Sequence, residues 1–464
     1  MTEELPKGWT TARIGDVCEI NPRHFDQPAG DKDLVSFVPM ASVEAETGRL
    51  DPSFTRFYSE VRKKSLTRFQ EGDVLFSKIT PCMENGKIAL AKNLSGGRAV
   101  GSTEFMVLRC SRVLDPSFLM YFLIRASFRK EAEMNMAGAV GQRRVPKSFV
   151  SGSVIPVPPL AEQRRIVASL EAYLSRLDSA SGAMKKSLLD IDSFRLSSIK
   201  RAYKGKMQKI GDLFSVAVGS TPSRSDASNW KGEVPWVSSG EVAFNRIKST
   251  KELISKSAVG KYEKRVHPPG TVLIAMIGEG KTRGQVAVLD IAAAHNQNCA
   301  SIRVSETEHD PDYVYFFLKG RYGETRRSSS GGNQLALNKS KVQEIEIPMI
   351  SPAGQRKVVD KIEAAEAVAD RMQGQVETAL RRAENLRQAL LATAFTGKLV
   401  PQDPSDEPAA VLIERIQSEH ASVPKAKRAR RSTKTPMRLA SATDVRIPKD
   451  PHSVYTGEQT ALEF

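Results

Sequence analysis

Cysteine is scarce: the chain has four in 464 residues (Cys18, Cys82, Cys110, Cys299), far apart and with no C-x-x-C pair. That spacing excludes a cysteine zinc frame and argues for reduced, structural thiols rather than a disulfide scaffold. The six histidines are scattered without metal-ligand spacing, so no metal site is expected. No run of about 18 apolar residues exists, which excludes a membrane-spanning helix. The N-terminus, MTEELPKGWT, has neither a basic start nor an apolar core of the signal-peptide kind, so a cytoplasmic location is expected. Three strings approach catalytic or cofactor motifs and fall short. In IGEGKTRG (277–284) a phosphate loop would need its first glycine at position 275, which is Ala275. Asn21-Pro22-Arg23-His24-Phe25 lacks the second proline of an adenine methyltransferase Asn-Pro-Pro-Phe site, and no glycine-rich methyl-donor fingerprint precedes it. Nothing forms an acidic-lysine nuclease cluster.

What is present is positive charge and repetition. Lys+Arg number 69 against 53 Asp+Glu, a net +16 spread along the body rather than confined to a tail. A long basic surface suited to a polyanion such as nucleic acid follows. Self-comparison then finds the chain duplicated. RIGDVCEI (13–20) matches KIGDLFSV (209–216), and Val38-Pro39-Met40 matches Val234-Pro235-Trp236. GDVLFSKI from Gly72 answers GTVLIAMI from Gly270, and NGKIALA from Asn85 answers RGQVAVL from Arg283. LDPSFLMYFLIR from Leu114 answers HDPDYVYFFLKG from His309. IPVPPLAEQRRIV (155–167) meets IPMISPAGQRKVV (347–359), and AYKGKM (202–207) meets AFTGKL (394–399). The order never changes.

Each copy begins with short β-branched runs broken by Gly, Pro and Asn, and contains one helix opened by an Asp-Pro pair that supplies N-cap and N1. A strand-rich α/β (α+β) globular domain is predicted at 1–159 and again at 206–352. After a proline-rich stop each copy continues as one long helix, at 160–205 and 353–398. The first carries a 3-4 seam of Ile166, Leu170, Tyr173, Leu177, Ala180, Met184, Ile191 and Phe194, with Ser187 as a polar exception. The second carries Val358, Ile362, Ala365, Ala369, Met372, Val376, Ala379, Ala383, Leu386 and Leu390. Helices of this length need a partner along their length, so the two are expected to pair as an antiparallel coiled coil giving a pseudo-twofold molecule. Gly182 and Gly374, equivalent mid-helix glycines, suggest a close backbone crossing. Residues 399–464 form a tail, with a short helix near 408–418 and then seven Lys/Arg between 425 and 438, composed like a disordered segment.

Two like heads on a helical spacer match two half-sites on one side of a DNA duplex, separated by an unread gap. The heads differ in sequence, so an asymmetric target is predicted. Candidate DNA contacts are polar and basic residues in Gly-rich loops: Lys78, Lys87, Arg98, Gln142, Arg143, Arg144 and Lys147 in the first head. In the second they are Lys281, Arg283, Asn296, Asn298, Arg326, Arg327, Asn333, Gln334 and Lys339. Arg reads guanine bidentately, Asn and Gln read adenine, and Lys mostly neutralises phosphate.

LPKGW at 5–9, the two IP…QR blocks and AFTGKLVPQDPSDEPAAVLIERI (394–416) together carry a family likeness covering about residues 1–420. The chain resembles the specificity subunit of type I restriction-modification systems. That resemblance implies two target-recognition domains, each recognising half of a bipartite target, and helices that dock modification subunits, two of them. Those partners would hold S-adenosylmethionine and methylate adenine. A restriction subunit would supply ATP- and Mg-dependent translocation and cleavage. No cofactor and no catalytic residue is then expected on this chain, in a bacterial or archaeal cytoplasm. Two rival readings stand beside it: a coiled-coil scaffold that reads no sequence, and a self-sufficient DNA methyltransferase.

Overall fold

A computed structural model describes residues 5–139, 141–260, 265–278, 280–327 and 337–422. In the first head an opening strand, Thr10–Arg13, runs antiparallel to Val154–Val157, the strand just before the first long helix. Lys206–Lys209 and Glu346–Met349 repeat this clasp in the second head. Each head is thereby closed where its helix begins.

Inside the first head, one four-stranded sheet has the order Cys18–Ile20, Phe105–Cys110, Val74–Ser77, Ile88–Leu90. A second has the order Thr55–Phe57, Leu34–Val38, Arg98–Gly101, Thr67–Gln70. In the second head the corresponding sheets have five and three strands. The central strands, Val74–Ser77 and Val272–Ala275, are buried throughout. Their apolar runs fit sheets covered on both faces.

The Asp-Pro helices are Pro116–Ile124 and Pro311–Gly320. Asp115 accepts from the Ser117 and Phe118 amides, and Asp310 from the Asp312 amide, so both cap as their sequence requires.

One sequence equivalence is corrected. Val38 pairs in parallel with Gly101 and Val237 with His295, and each strand then turns into a 3₁₀ helix, Met40–Ser42 or Ser239–Glu241. Val38-Pro39-Met40 therefore corresponds to Val237-Ser238-Ser239. Pro39 precedes the 3₁₀ turn, whereas Pro235 lies inside a strand opposite Leu253, so the shared Val-Pro is a coincidence of letters.

The long helices are Leu160–Ala202 and Pro352–Ala394, of 43 residues each. They pack antiparallel, and two ion pairs give the register: Arg387 with Asp178, and Arg195 with Asp370. The pairs are pseudo-twofold equivalents, since each residue of one lies 192 positions from its counterpart in the other. The first turns of each helix run past the other's end and pack on the preceding head instead. There Ile166 and Leu170 are buried, and Val359 and Ile362 join the core of the second head.

The seam needs revision. Tyr173, Phe194, Met372 and Leu386 are 45, 42, 47 and 51% exposed. The buried or half-buried positions beside them are Leu174, Arg195, Gln373 and Arg387. The stripe is one residue further along at these points because arginines and a glutamine occupy contact positions, which an apolar count cannot detect. Val358 is half-buried while its neighbour Val359 is fully buried. The glycine expectation also fails. A Cβ on Gly182 or Gly374 would meet nothing within 4 Å, so neither marks a close crossing. Beyond the second long helix, Ala409–Ser422 is helical.

Candidate nucleic-acid interface

Each head is gripped twice, once by the start of the helix that follows it and once by the end of the other helix. At the starts the grip is a buried glutamine. The Gln163 side chain accepts from the Asp115 amide at 2.8 Å and donates to the carbonyls of Val113 and Pro158, both at 2.9 Å. Gln355 accepts from the Asp310 amide at 2.9 Å and donates to the Ile350 carbonyl at 3.0 Å. The glutamine of the two IP…QR blocks thus ties the long helix to the capping aspartate of the head's own helix. At the ends the grip is aromatic. Phe395 packs on Phe118 and Phe122, with ring centroids 4.8 and 5.4 Å apart. Tyr203 packs on Tyr313 and Phe317 at 4.7 and 5.3 Å. The heads are therefore held at set positions on the helix pair, and their loops with them.

In the first head two loops come together beyond the strand Val74–Ser77. Arg144 bridges to Ile79 and to Ala137, the Thr80 amide donates to the Arg143 carbonyl at 3.0 Å, and the Val145 amide to the Lys78 carbonyl at 2.8 Å. Lys78, Gln142, Arg143, Arg144 and Lys147 consequently share one end of the head. Arg144 forms a bidentate pair with Glu104 at 2.9 and 2.8 Å, and this Arg144 contact is the main cause holding the Glu104 carboxyl below its ordinary value. The Arg144 guanidinium is thus preorganised, with its Nε–Nη2 edge held by Glu104. Lys78 donates to the Thr103 carbonyl at 2.7 Å, and Lys147 to that of Ile20 at 3.1 Å. Lys87 closes the far side of its loop on the Met40 carbonyl at 3.0 Å. Arg98 stands apart from this set. It begins the strand whose other end leads to Thr103, and it is ion-paired with Asp33 at 2.8 Å.

The second head builds its counterpart from residues 276–278 and 280–285 and the helix Tyr322–Arg327. The Leu337 amide donates to the Met276 carbonyl at 2.9 Å, and the Tyr322 hydroxyl to the Lys281 carbonyl at 2.5 Å. Lys281, Arg327 and Lys339 are exposed. Arg326 is half-buried, donating to the Arg283 carbonyl at 3.2 Å and lying over the Tyr322 ring. Arg283 and Asn296 are buried, which removes both from the surface a duplex could touch. The Asn296 side chain accepts from the Asn298 amide at 3.1 Å and shapes the turn that presents Asn298. Asn333 and Gln334 lie outside the described residues. The sequence did not single out Glu104 or Tyr322, because a lone carboxylate or tyrosine in a loop carries no spacing pattern.

The second head also holds a buried histidine pair, His267 and His295, with ring centroids 4.8 Å apart. Arg303 Nε donates to His267 Nδ1 at 3.0 Å, so the ring's hydrogen sits on Nε2, facing Ser301 Oγ at 3.3 Å. Burial is the main cause pushing both imidazoles down, His267 to about 3 and His295 to about 4.

Among the described residues no cluster of three or more His, Cys, Asp or Glu side chains could hold a metal ion, and no helix is long and apolar enough to cross a membrane. Fold and loops together define a two-headed protein on an antiparallel helix pair, with a basic loop cluster at corresponding places in both heads. The chain belongs to the type I restriction modification DNA specificity domain family, whose model matches residues 6–186 and 204–380.

Among its relatives is the EcoAI specificity subunit of Escherichia coli, 34% identical over 191 residues. That match covers 41% of this chain and 31% of the relative, so it spans less than a third of the relative's length. The EcoKI specificity subunit of Escherichia coli K12 is 24% identical over 467 residues, covering 90% of this chain and 97% of that one. A solved chain, from work on complex assembly and conformational transition of the type I R-M system, superposes with a TM-score of 0.71. It is 20% identical, covers 85% of this chain and 99% of its own, and is a likeness of fold.

Proposed function

We propose that the chain is the DNA sequence-specificity subunit of a type I restriction-modification complex. Each head reads one half of an asymmetric, two-part target on double-stranded DNA, and the paired helices set the gap between the halves. The observation that carries this reading is the recurrence of one loop cluster, with different side chains, at corresponding places on two heads fastened to one spacer. Equivalent positions give two reading points, and unlike side chains give unlike half-sites.

The chemistry is assigned to partners: modification subunits, two of them, which bind S-adenosylmethionine, and a restriction subunit using ATP and Mg. The chain itself contributes positioning and no catalysis, in the cytoplasm. Partner docking is assigned to the helix pair, where Tyr173, Phe194, Met372 and Leu386 are exposed.

Selection of a randomised duplex pool with the reconstituted complex tests the reading. Two short, different blocks at a fixed spacing are expected. No enriched sequence would favour a scaffold without sequence reading, and S-adenosylmethionine-dependent methylation by the isolated chain would instead make it an enzyme.

A further inference from the structure

We propose that a groove on the first head, leading from Lys78 past Arg68 and Arg23 to the Phe25–Tyr58 pair, carries the sugar–phosphate backbone of the DNA whose bases the adjacent loops read. The inference rests on the DNA-reading function proposed above and extends its contact surface to residues outside the loop cluster. A hollow of about 380 Å³ is lined by Asn21, Arg23, Arg68, Lys78 and Thr103 among others. A second, of about 480 Å³, is lined by Arg23, His24, Phe25, Tyr58 and Arg68. Arg23 and Arg68 line both, so the two hollows adjoin along one face, and Lys78 joins the first of them to the reading loops.

The charge pattern identifies the occupant. No Asp or Glu lines either hollow. Four other arginines of this head face carboxylates, Arg98 with Asp33, Arg109 with Asp73, Arg129 with Glu46 and Arg144 with Glu104, while Arg56 and Arg125 lie over aromatic rings. Among the described residues, the Arg68 side chain donates to the Arg62 carbonyl at 2.6 Å and Lys78 to that of Thr103, while exposed Arg23 has no hydrogen-bonded or ion-paired partner. Arg23, Arg68 and Lys78, of which, among the described residues, only Lys78 also feels a nearby carboxylate, Glu104, present a strip of positive potential that a row of phosphates complements. Phe25 and Tyr58, with ring centroids 6.0 Å apart, wall the far end with apolar surface that suits deoxyribose.

In the corresponding described segment of the second head Arg224 is already paired with Glu252 and lies 3.6 Å over the Trp230 ring.

The test uses the full chain in its reconstituted complex, with the target found by selection, and measures affinity across a series of salt concentrations. Arg23→Gln combined with Arg68→Gln is expected to weaken binding to target and to random duplex by the same factor. It should also make the slope of log affinity against log salt shallower by about 1 to 2, at about 0.9 per phosphate, with the selected sequence unchanged. Arg23→Lys with Arg68→Lys should restore the slope, because a phosphate accepts either cation. Arg23 is exposed and has no hydrogen-bonded or ion-paired partner among the described residues, so Arg23→Gln alone should still shift the slope by about 1. An unchanged slope and affinity in a chain that still selects its target would overturn the groove and leave the reading function intact. So would altered selectivity at one half-site, which would make these residues base readers. A wild-type complex that selects nothing would overturn the reading itself.

Discussion

At the scale of single residues, the two heads solve one packing problem with different chemistry. Phe69 pairs with Ala99 in the first head, and His267 with Ala293 at the same place in the second. The arginine beside them changes partner accordingly. Arg109 grips Asp73 at 2.8 Å, whereas Arg303 donates to His267 at 3.0 Å. A proton on His267 would set two cationic donors face to face, and His295 Nε2 is buried with no hydrogen-bond partner among the described residues. Both imidazoles titrate well below their ordinary 6.5, so the unfolded chain binds protons that the folded head refuses. Stability from this pair is complete above about pH 6.5 and declines as the pH falls towards the folded values of about 3 and 4, by on the order of a few kcal/mol. Thermal melts between pH 7 and 4 should show the second head failing first, and His267→Phe should flatten the profile. A flat wild-type profile would contradict imidazoles kept neutral by burial in the folded head.

Gln163 gives a sharper local expectation. Replacing it with Leu strands a buried amide and two carbonyls, at a cost of about 3 kcal/mol. Denaturant unfolding would measure that loss.

At the scale of elements, the helix register has a measurable consequence. Inserting seven residues after Lys186 and seven after Thr378, 192 positions apart, preserves the seam and lengthens the spacer by about 10 Å, or about 3 bp of duplex. Selection should then return the same two blocks with a wider gap, and altered blocks would contradict a spacer role. The helices themselves were legible in the sequence, because proline-rich stops and a long 3-4 alternation have no other economical solution. Their contact face was only partly legible. Counting apolar residues chose Tyr173 and Phe194, while packing uses Leu174 and Arg195, whose guanidinium reaches Glu366 at 2.6 Å and Asp370 at 2.7 Å. Polar core positions of this kind are visible only when both helices are in view. The candidate reading loops divide in the same way. Lys78 and Arg144 were recognisable as loop cations, but burial of Arg283 and Asn296 depends on neighbours distant in sequence, and nothing local to Arg23 and Arg68 announced that they line the same hollow.

At the scale of the whole molecule, the second long helix returns the chain to where it set out. Beyond Phe395 the segment lies along residues 6–9 and the first helix. The Ala409 amide donates to the Gly8 carbonyl at 3.0 Å, Arg165 pairs with Asp406 at 2.6 Å, and Trp9 Nε1 donates to Glu162 at 3.1 Å. Truncation after Leu399 removes the first two of these contacts. Hydrogen exchange should then rise around Trp9 and Arg165 while the second head keeps its protection. Equal loss in both heads would argue against a local clasp.

The paired helices, each starting at one head and ending at the other, behave as the two rails of a closed frame. Lengthening both rails equally moves the heads apart without turning them. Lengthening one alone cannot widen the frame and must skew it, tilting one reading edge against the other along the duplex. The duplication therefore couples two lengths that have to change together, so a new spacing between half-sites is reached by paired alterations, and a change in one helix alone appears as misalignment.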